Sequence, residues 1–497
     1  MLPLHYNIPA ISILACLISG IVIPLLPSER AALRLNLTVS GFVAFLSAIL
    51  LYKVVPNNEY FVYTMGSFPA PWGNELAVGP LEALMAFVFG LVTFLSLAGG
   101  VQTLFHDILP GKRNFFFTML NMLLASLLAM TYTNDLFTSY VFIEISTLAA
   151  CAIVVARDTP KTIGSTIRYL ALSLLGSGLF LIGVVLLYCI TGHLLMPHLQ
   201  MQILRLIATG KYAMPITLIA GLLFVGIAIK SALFPFGTWL PMAHGGATTT
   251  SSAILSGLVL KGYIMLLVKI FYRIFTIDLI RSLHVTDVMY VCGLIGMIYG
   301  SIEAYREEHI KRMLAHSSMA QIGYIFMGLG LDVNLGIAAA FLQIVVHAFV
   351  KPLLFLSAGR LSEIYNHEKS SYRLRGSAHK DWVAGIGFTL GSLSMVGIPL
   401  LGGFLAKYYL IEAAMQNPYK LWPALFTLMI SAVMNALYYI PGVIAIWTRS
   451  ELSTANPVEH NIGFTWIAAP VLSIAVVFLG VNGTYVMEII QRGLALL

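Results

Sequence analysis

Apolar runs of helix length recur from one end of the chain to the other, and short polar loops between them gather most of the charge. A helix needs about 20 mostly apolar residues to cross a bilayer core. The pattern predicts about fourteen spans: 8–27, 32–55, 77–100, 113–133, 134–156, 164–192, 213–234, 250–274, 285–305, 310–331, 334–360, 384–415, 421–448 and 462–490. The stretches 197–211, 361–383 and 449–461 read as connecting loops or interfacial pieces. The turn-rich stretch 56–76, with "VPNNEY" and "FPAPWG", predicts a small hairpin. No linker divides the chain, so 1–497 is expected to form a single membrane domain.

Composition agrees with this pattern. Of 497 residues 59% are hydrophobic and 10% charged, against about 25% charged in soluble proteins. No soluble core hides that much apolar surface, so the expected class is an all-α polytopic membrane protein. The net charge of +7 comes from basic residues scattered through short loops, a pattern that membrane topology explains better than nucleic-acid binding. An even number of spans puts both termini on one side. Loops on the opposite side hold most of the basic residues, among them Lys112, Arg113, Arg157, Lys161, Lys311, Arg312, Arg375 and Lys380. The positive-inside rule then predicts outward-facing termini in a cell (inner) membrane. "MLPLHYNIPA" lacks a positive n-region, so the first apolar run is expected to be retained.

Cys16, Cys151, Cys189 and Cys292 lie far apart in apolar runs and form no C-x-x-C. They read as plain buried thiols. Neither a G-x-G-x-x-G after a strand nor a P-loop lysine motif occurs. No redox cofactor, nucleotide or metal is expected on this chain.

Charges inside the spans carry the functional signal, because ionisable groups in lipid are costly and face the bundle interior. In "VGIAIKSALFPFGTWLPMAH" an apolar run holds Lys230 and then breaks at Pro and Gly. "SMVGIPLLGGFLAKYYL" repeats the design with Lys407. Two matched broken helices point to an inverted-repeat transporter, with five-helix repeats at 113–274 (spans 4–8) and 285–448 (spans 9–13). Spans 1–3 (1–112) precede them, span 14 (462–490) follows, and spans 7 and 12 are the broken pair. Glu144 is the one acid near the middle of a span, and it should pair with Lys230, since either charge alone would be worse off. His347 and Lys351 are four residues apart on one helical face. Two cations there repel, so one is expected to be neutral. Lys261, a turn after Gly257, is expected to face the interior. His316 is either a further titratable group or a partner for a loop carbonyl. Lys269, near its helix end, is expected to snorkel to the headgroups. Together Glu144, Lys230, Lys261, His316, His347, Lys351 and Lys407 read as a string of proton-exchanging groups near the bilayer midplane.

The stretches "NDLFTSYVFIEIS", "LLGSGLFLIGVVLLYCITG", "IKSALFPFGTWLPMAH", "SAILSGLVLKGY", "IKRMLAHSSMAQIGYI", "HAFVKPLLFLSAG" and "GIPLLGGFLAKYYL" resemble, in order, the antiporter-like membrane subunits shared by respiratory complex I, Mrp-type Na+/H+ antiporters and group 4 membrane-bound [NiFe] hydrogenases. The resemblance covers spans 3 to 13. It implies fourteen helices with broken helices 7 and 12 in two inverted repeats. It also implies that Glu144 and Lys230 are the glutamate and lysine of helices 5 and 7, Lys261 the lysine of helix 8 and Lys407 the charged residue of helix 12. His316 and His347 look like histidines on the connecting path. The chain departs from its relatives at "ATTTSSAILSG", which lacks a proline, and at "GFLAK", with Ala406.

The function so implied is translocation of protons by a subunit of a multisubunit membrane complex, with other membrane subunits as partners. Whether sodium also moves stays open. A lysine at position 407 is similar to the Mrp D and complex I N subunits, and the compact length leans toward an Mrp-type or hydrogenase-associated module. A complex I pumping subunit, a stand-alone solute carrier and a structural scaffold are the other readings.

Overall fold

Helix ends in this chain follow local chemistry. The computed structural model describes residues 4–68, 73–364, 370, 374–449 and 465–497. Pro160–Thr191 starts after Thr159, whose side chain accepts from the Thr162 N–H, and has Pro160 in its first turn. It stops at Gly192, where φ is +72°, a conformation glycine takes without steric cost. Leu136–Val155 starts after Asp135, whose carboxylate accepts from the Thr138 N–H at 2.6 Å. Each cap satisfies a main-chain group that the helix itself leaves free.

Among the described residues eleven helices are long and apolar enough to cross a membrane, and a bent pair makes up to twelve. With lipid as solvent, helices are the segments that satisfy every backbone group internally. The chain is a multi-pass membrane protein. Three expected spans differ from the rest. Ile310–Leu329 is helical and mostly buried, but Lys311, Arg312, His316 and Gln321 dilute its apolar character. The expected span 384–415 is split into Trp382–Val396 and Gly402–Met415. The last expected span, 462–490, bends by 77° between Ile467–Val481 and Gly483–Ala495. Asn482 and Gly483 lie at the bend, and Glu488 and Arg492 keep the second arm amphipathic.

Outside the spans, Phe61–Thr64 and Glu75–Val78 pair antiparallel, with Phe61 opposite Val78 and Thr64 opposite Glu75. This is the small hairpin expected at 56–76. The stretch read as a connector at 197–211 holds a helix, Met196–Ala208, that buries Met196, Leu199 and Ile203. Parts of the other two expected connectors, 365–369, 371–373 and 450–461, lie outside the described residues.

Two helices form the centre of the bundle. The most apolar windows of Thr249–Phe275 and Asn334–Glu363 are wholly buried in protein, whereas those of Glu29–Asn57, Pro160–Thr191 and Pro418–Trp447 are only 39% buried. The central pair carries Lys261, Lys269, His347 and Lys351. These charges therefore face protein on every side. The first broken span runs Ala213–Lys230, then Phe236–Thr238 and Trp239–Gly246.

Small residues let backbones touch where the first broken span crosses its neighbour. A Cβ built on Gly176 would sit 2.8 Å from the Gly226 carbonyl oxygen, and one on Gly226 would sit 2.7 Å from that of Gly176. Gly178 has no atom within 4 Å of its Cβ position. Gly176→Val is expected to cost about 1–3 kcal/mol by overpacking, lowering the thermal midpoint in detergent, while Gly178→Val leaves the midpoint unchanged.

Candidate functional site

A buried ammonium has three N–H donors and no acceptor, so each intramembrane lysine needs oxygens brought to it. Lys230 is the last residue of Ala213–Lys230 and is 1% exposed. Its Nζ donates to Thr147 Oγ1 at 2.6 Å and lies 5.6 Å from the Tyr263 ring centroid. The Tyr263 hydroxyl lies 2.7 Å from Ser146 Oγ. The break after Lys230 is packed by Trp239, which stacks on Tyr169 at 4.2 Å and donates to the Ile229 carbonyl. The direct Glu144–Lys230 ion pair expected from the sequence does not form. Thr147, one turn beyond Glu144, takes its place. Glu144 is half-buried with Oε1 unpartnered, and its charge still acts on Lys230.

The helix Thr249–Phe275 changes to π geometry at Leu255–Val259, just before Lys261. Such turns leave carbonyls free for other partners, and Lys261 Nζ donates to the Ser256 carbonyl. Ser256 Oγ meets Ser318 Oγ at 2.8 Å, and Ser318 Oγ donates to the Leu314 carbonyl at 2.9 Å. That carbonyl also accepts from Lys351 Nζ at 2.8 Å. Lys351 further donates to Ser317 Oγ at 3.0 Å and the Tyr439 hydroxyl at 3.2 Å. Ser256, through its carbonyl on one side and its hydroxyl on the other, thus links Lys261 to the contacts of Lys351.

Beyond Lys351, the Tyr439 ring lies 4.8 Å from that of Tyr438, whose hydroxyl donates to Asn435 Oδ1. Asn435 Nδ2 donates to the Met395 carbonyl at 3.3 Å. Lys407 Nζ donates to the same carbonyl at 2.7 Å and to that of Val396 at 2.8 Å. Lys407 therefore caps the half-helix Trp382–Val396, whose final carbonyls lack intrahelical partners and carry the negative end of its dipole. Gly397, with φ +99°, follows directly, and a Cβ there would press within 3.3 Å of Lys407 Nζ. Among the described residues no carboxylate comes within the 4.0 Å of an ion pair with Lys230, Lys261, Lys351 or Lys407.

The histidines divide. His347 is fully buried, its charge environment set by Lys261 and Lys351, and neither ring nitrogen meets a protein partner. His316 is not brought into the lysine run. It is half-buried, among the charges of Glu303, Glu307 and Arg312. Its neighbours Ser317 and Ser318 are on the run instead.

Lys269 does not snorkel. It is fully buried, donating to the Thr131 carbonyl at 2.7 Å and lying 3.9 Å from Glu82 Oε1. Glu82, remote in sequence, supplies the counter-charge that keeps it inside. Sequence reasoning also missed Thr147, Ser317 and Tyr439, whose hydroxyls accept from the amines, Ser256, whose carbonyl does, and Ser318 and Asn435, which donate to carbonyls that the amines share. The available signal was a hydroxyl or amide within five residues of a charge, or at matching depth, in an apolar helix. His244 was missed too. It is fully buried, stacks on Phe355 at 4.8 Å, and has no protein partner at either ring nitrogen.

The model of the family described as "NADH:quinone oxidoreductase/Mrp antiporter, TM" matches residues 133–435, which include both broken spans and every candidate residue. The chain is 32% identical over 437 residues to the N-type subunit of NADH-quinone oxidoreductase from Desulforudis audaxviator (strain MP104C), covering 84% of each chain. It is 31% identical over 388 residues to the D-type subunit of an Na(+)/H(+) antiporter from Alkalihalophilus pseudofirmus, covering 77% of this chain and 76% of the relative. A chain in the solved Mrp complex from Dietzia sp. DQ12-45-1b shares the fold with a TM-score of 0.88 at 22% identity, over 99% of this chain and 97% of that one.

Removing one partner of a buried hydrogen-bonded charge costs more than removing both. Thr147→Val is expected to destabilise the protein by about 1–3 kcal/mol. Adding Lys230→Met to it should recover most of that loss. Thermal unfolding of the two single variants and the double variant in detergent measures the coupling.

Proposed function

Because the chain belongs to the NADH:quinone oxidoreductase/Mrp antiporter membrane family, we propose that it moves protons across the membrane as one subunit of a multisubunit complex. The run of buried amines solvated by neutral oxygens carries this reading. An ammonium held by a carboxylate is locked in its charged form. One held by a hydroxyl and carbonyls gains and gives up its proton more readily, as a proton carrier must.

Lys230 has two acceptors within reach of one helical turn, Thr147 and Glu144. In the structure it is on Thr147; contact with Glu144 is the second state of the cycle. Two unit charges 4 Å apart interact by about 4 kcal/mol at an effective dielectric near 20. Forming and releasing that contact therefore changes the amine's hold on its proton by roughly a thousandfold, at 1.4 kcal/mol per factor of ten. A proton released from Lys230 passes to Lys261, which exchanges protons with Lys351, His347 beside it, and with Lys407 at the far end of the run. On this reading His316, half-buried and adjacent to Ser317 in the chain, loads the run from the basic-loop side. The matched breaks after Lys230 and before Lys407 support two inverted repeats, 113–274 and 285–448, as the frame of this path.

The relatives divide between a quinone reductase and an Na+/H+ antiporter. Proton translocation alongside other membrane subunits is the reading compatible with both. Loop charge supports outward-facing termini in a cell membrane.

The test uses the assembled complex in proteoliposomes. Lys230→Met and Glu144→Gln are expected to assemble normally yet lose coupled proton transport by at least about tenfold, since a positioned proton-transfer group contributes about 10²–10⁴-fold. Wild-type transport by both variants would overturn the relay.

A further inference from the structure

One buried charge cluster lies off the lysine run, at the opposite end of the helix that carries Lys261. Glu82 caps its own helix, Oε2 accepting from the Gly79 N–H at 3.0 Å. Its Oε1 lies 3.3 Å from Arg273 Nη2 and 3.9 Å from Lys269 Nζ. Arg273 Nη1 donates to the Tyr60 hydroxyl at 2.7 Å and to Asn134 Oδ1 at 3.2 Å. Asn134 Nδ2 donates in turn to Glu75 Oε2 at 3.2 Å. Glu82, Lys269, Arg273 and Asn134 are all at least nine-tenths buried. Glu75 is half-buried and lines a cavity of about 630 Å³, together with Asp135, Thr138, His193 and His198. That cavity lies beside the hairpin and the Met196–Ala208 helix, on the face where the N-terminal helix begins.

A cluster built only for packing would need one carboxylate and one guanidinium. This one adds a second cation, and Lys269 makes its short contact with a main-chain carbonyl, as Lys261 and Lys407 do. Lys269 stands eight residues beyond Lys261 on one helix, a rise of about 12 Å. Arg273 does not deprotonate, so it holds a fixed positive charge between the cavity and Lys269. A metal cation is repelled there, while a proton moves by transfer between groups.

We propose that the cavity and the Glu82–Arg273–Lys269 cluster form the terminal-side mouth and gate of the proton path, connecting Lys261 with the water on that side. The proposal rests on the relay reading above. The proton leaves Lys269 Nζ and is taken up by the Glu82 carboxylate, water carries it on to Glu75 at the cavity wall, and a proton from Lys261 restores Lys269 to its ammonium.

The experiment uses the complex purified from membranes, reconstituted so that each face can be addressed. Cys189 and Cys292 are replaced by serine, and Thr138→Cys places a thiol in the cavity wall. A bulky membrane-impermeant thiol reagent added from the terminal side is expected to cut proton transport several-fold relative to the same unreacted protein. Added from the opposite side it changes nothing. Lys269→Met in the same assay is expected to lose transport at least about tenfold, as for other positioned proton-transfer groups. Unchanged transport after complete reaction of the thiol, or full transport by an assembled Lys269→Met complex, overturns the mouth and gate. If Lys269→Met does not assemble, the thiol result decides alone. Lys230→Met run alongside separates the two readings: if it is inactive while Lys269→Met is active, only the mouth fails, and if it is active, the relay fails.

Discussion

An amine inside a membrane protein must be given oxygens, and two of the irregular features of this fold are places where it gets them. Lys407 takes carbonyls that a broken helix leaves free. Lys261 takes one from a π turn. Lys351 shares the Leu314 carbonyl with Ser318, and Lys230 takes a hydroxyl from a neighbouring helix. In each case the acceptor is neutral. The desolvation cost of the ammonium is offset only in part, because no carboxylate stands opposite. That incomplete compensation is what a storage group would abolish and a carrier needs.

The same constraint explains which irregularities lie where. Helix ends and distorted turns leave carbonyls without intrahelical partners, whereas within the regular helix Ile310–Leu329 the Leu314 carbonyl takes Lys351 on a second lone pair. The break after Val396 and the π turn at Leu255–Val259 expose acceptors for Lys407 and Lys261, while the carbonyl freed at the break after Lys230 is taken by Trp239. Buried on all sides, Thr249–Phe275 and Asn334–Glu363 hold the lysines furthest from lipid. The first of them also joins the two polar systems, with Lys261 in the run and Lys269 in the Glu82 cluster. Arg273 lies in a second π turn at the helix end, Phe271–Phe275, which presents its guanidinium to Glu82, Asn134 and Tyr60.

Hydropathy made most spans legible, and Pro and Gly beside Lys230 and Lys407 marked both breaks. The hairpin at 61–78 followed from its turn residues. What pattern reading missed depends on partners distant in sequence. Lys269 seemed free to reach the headgroups because it lies near its helix end and its counter-charge, Glu82, is nearly two hundred positions away. Glu144 and Lys230 matched in depth, yet depth does not say which residue on a helix turn a side chain reaches, and Thr147 holds the contact. Ser256 and Tyr439, which accept from amines, and Ser318 and Asn435, which share carbonyls with them, were invisible in these roles, since a lone hydroxyl or amide in an apolar helix usually bonds its own backbone. The final bend follows from Asn482, Gly483 and an amphipathic last helix, signals too weak to outweigh a continuous apolar run.

Lys407 offers the most direct test, because it both caps a half-helix and belongs to the proposed run. Arginine at that position supplies donors for the Met395 and Val396 carbonyls but does not release a proton. The measurement is proton transport by the reconstituted complex carrying Lys407→Arg, with assembly and thermal midpoint checked in parallel. If the amine is a carrier, the variant is stable and assembled but transports at about a tenth of the wild-type rate or less. Wild-type transport with arginine in place would show that only the positive charge matters, and would contradict the account.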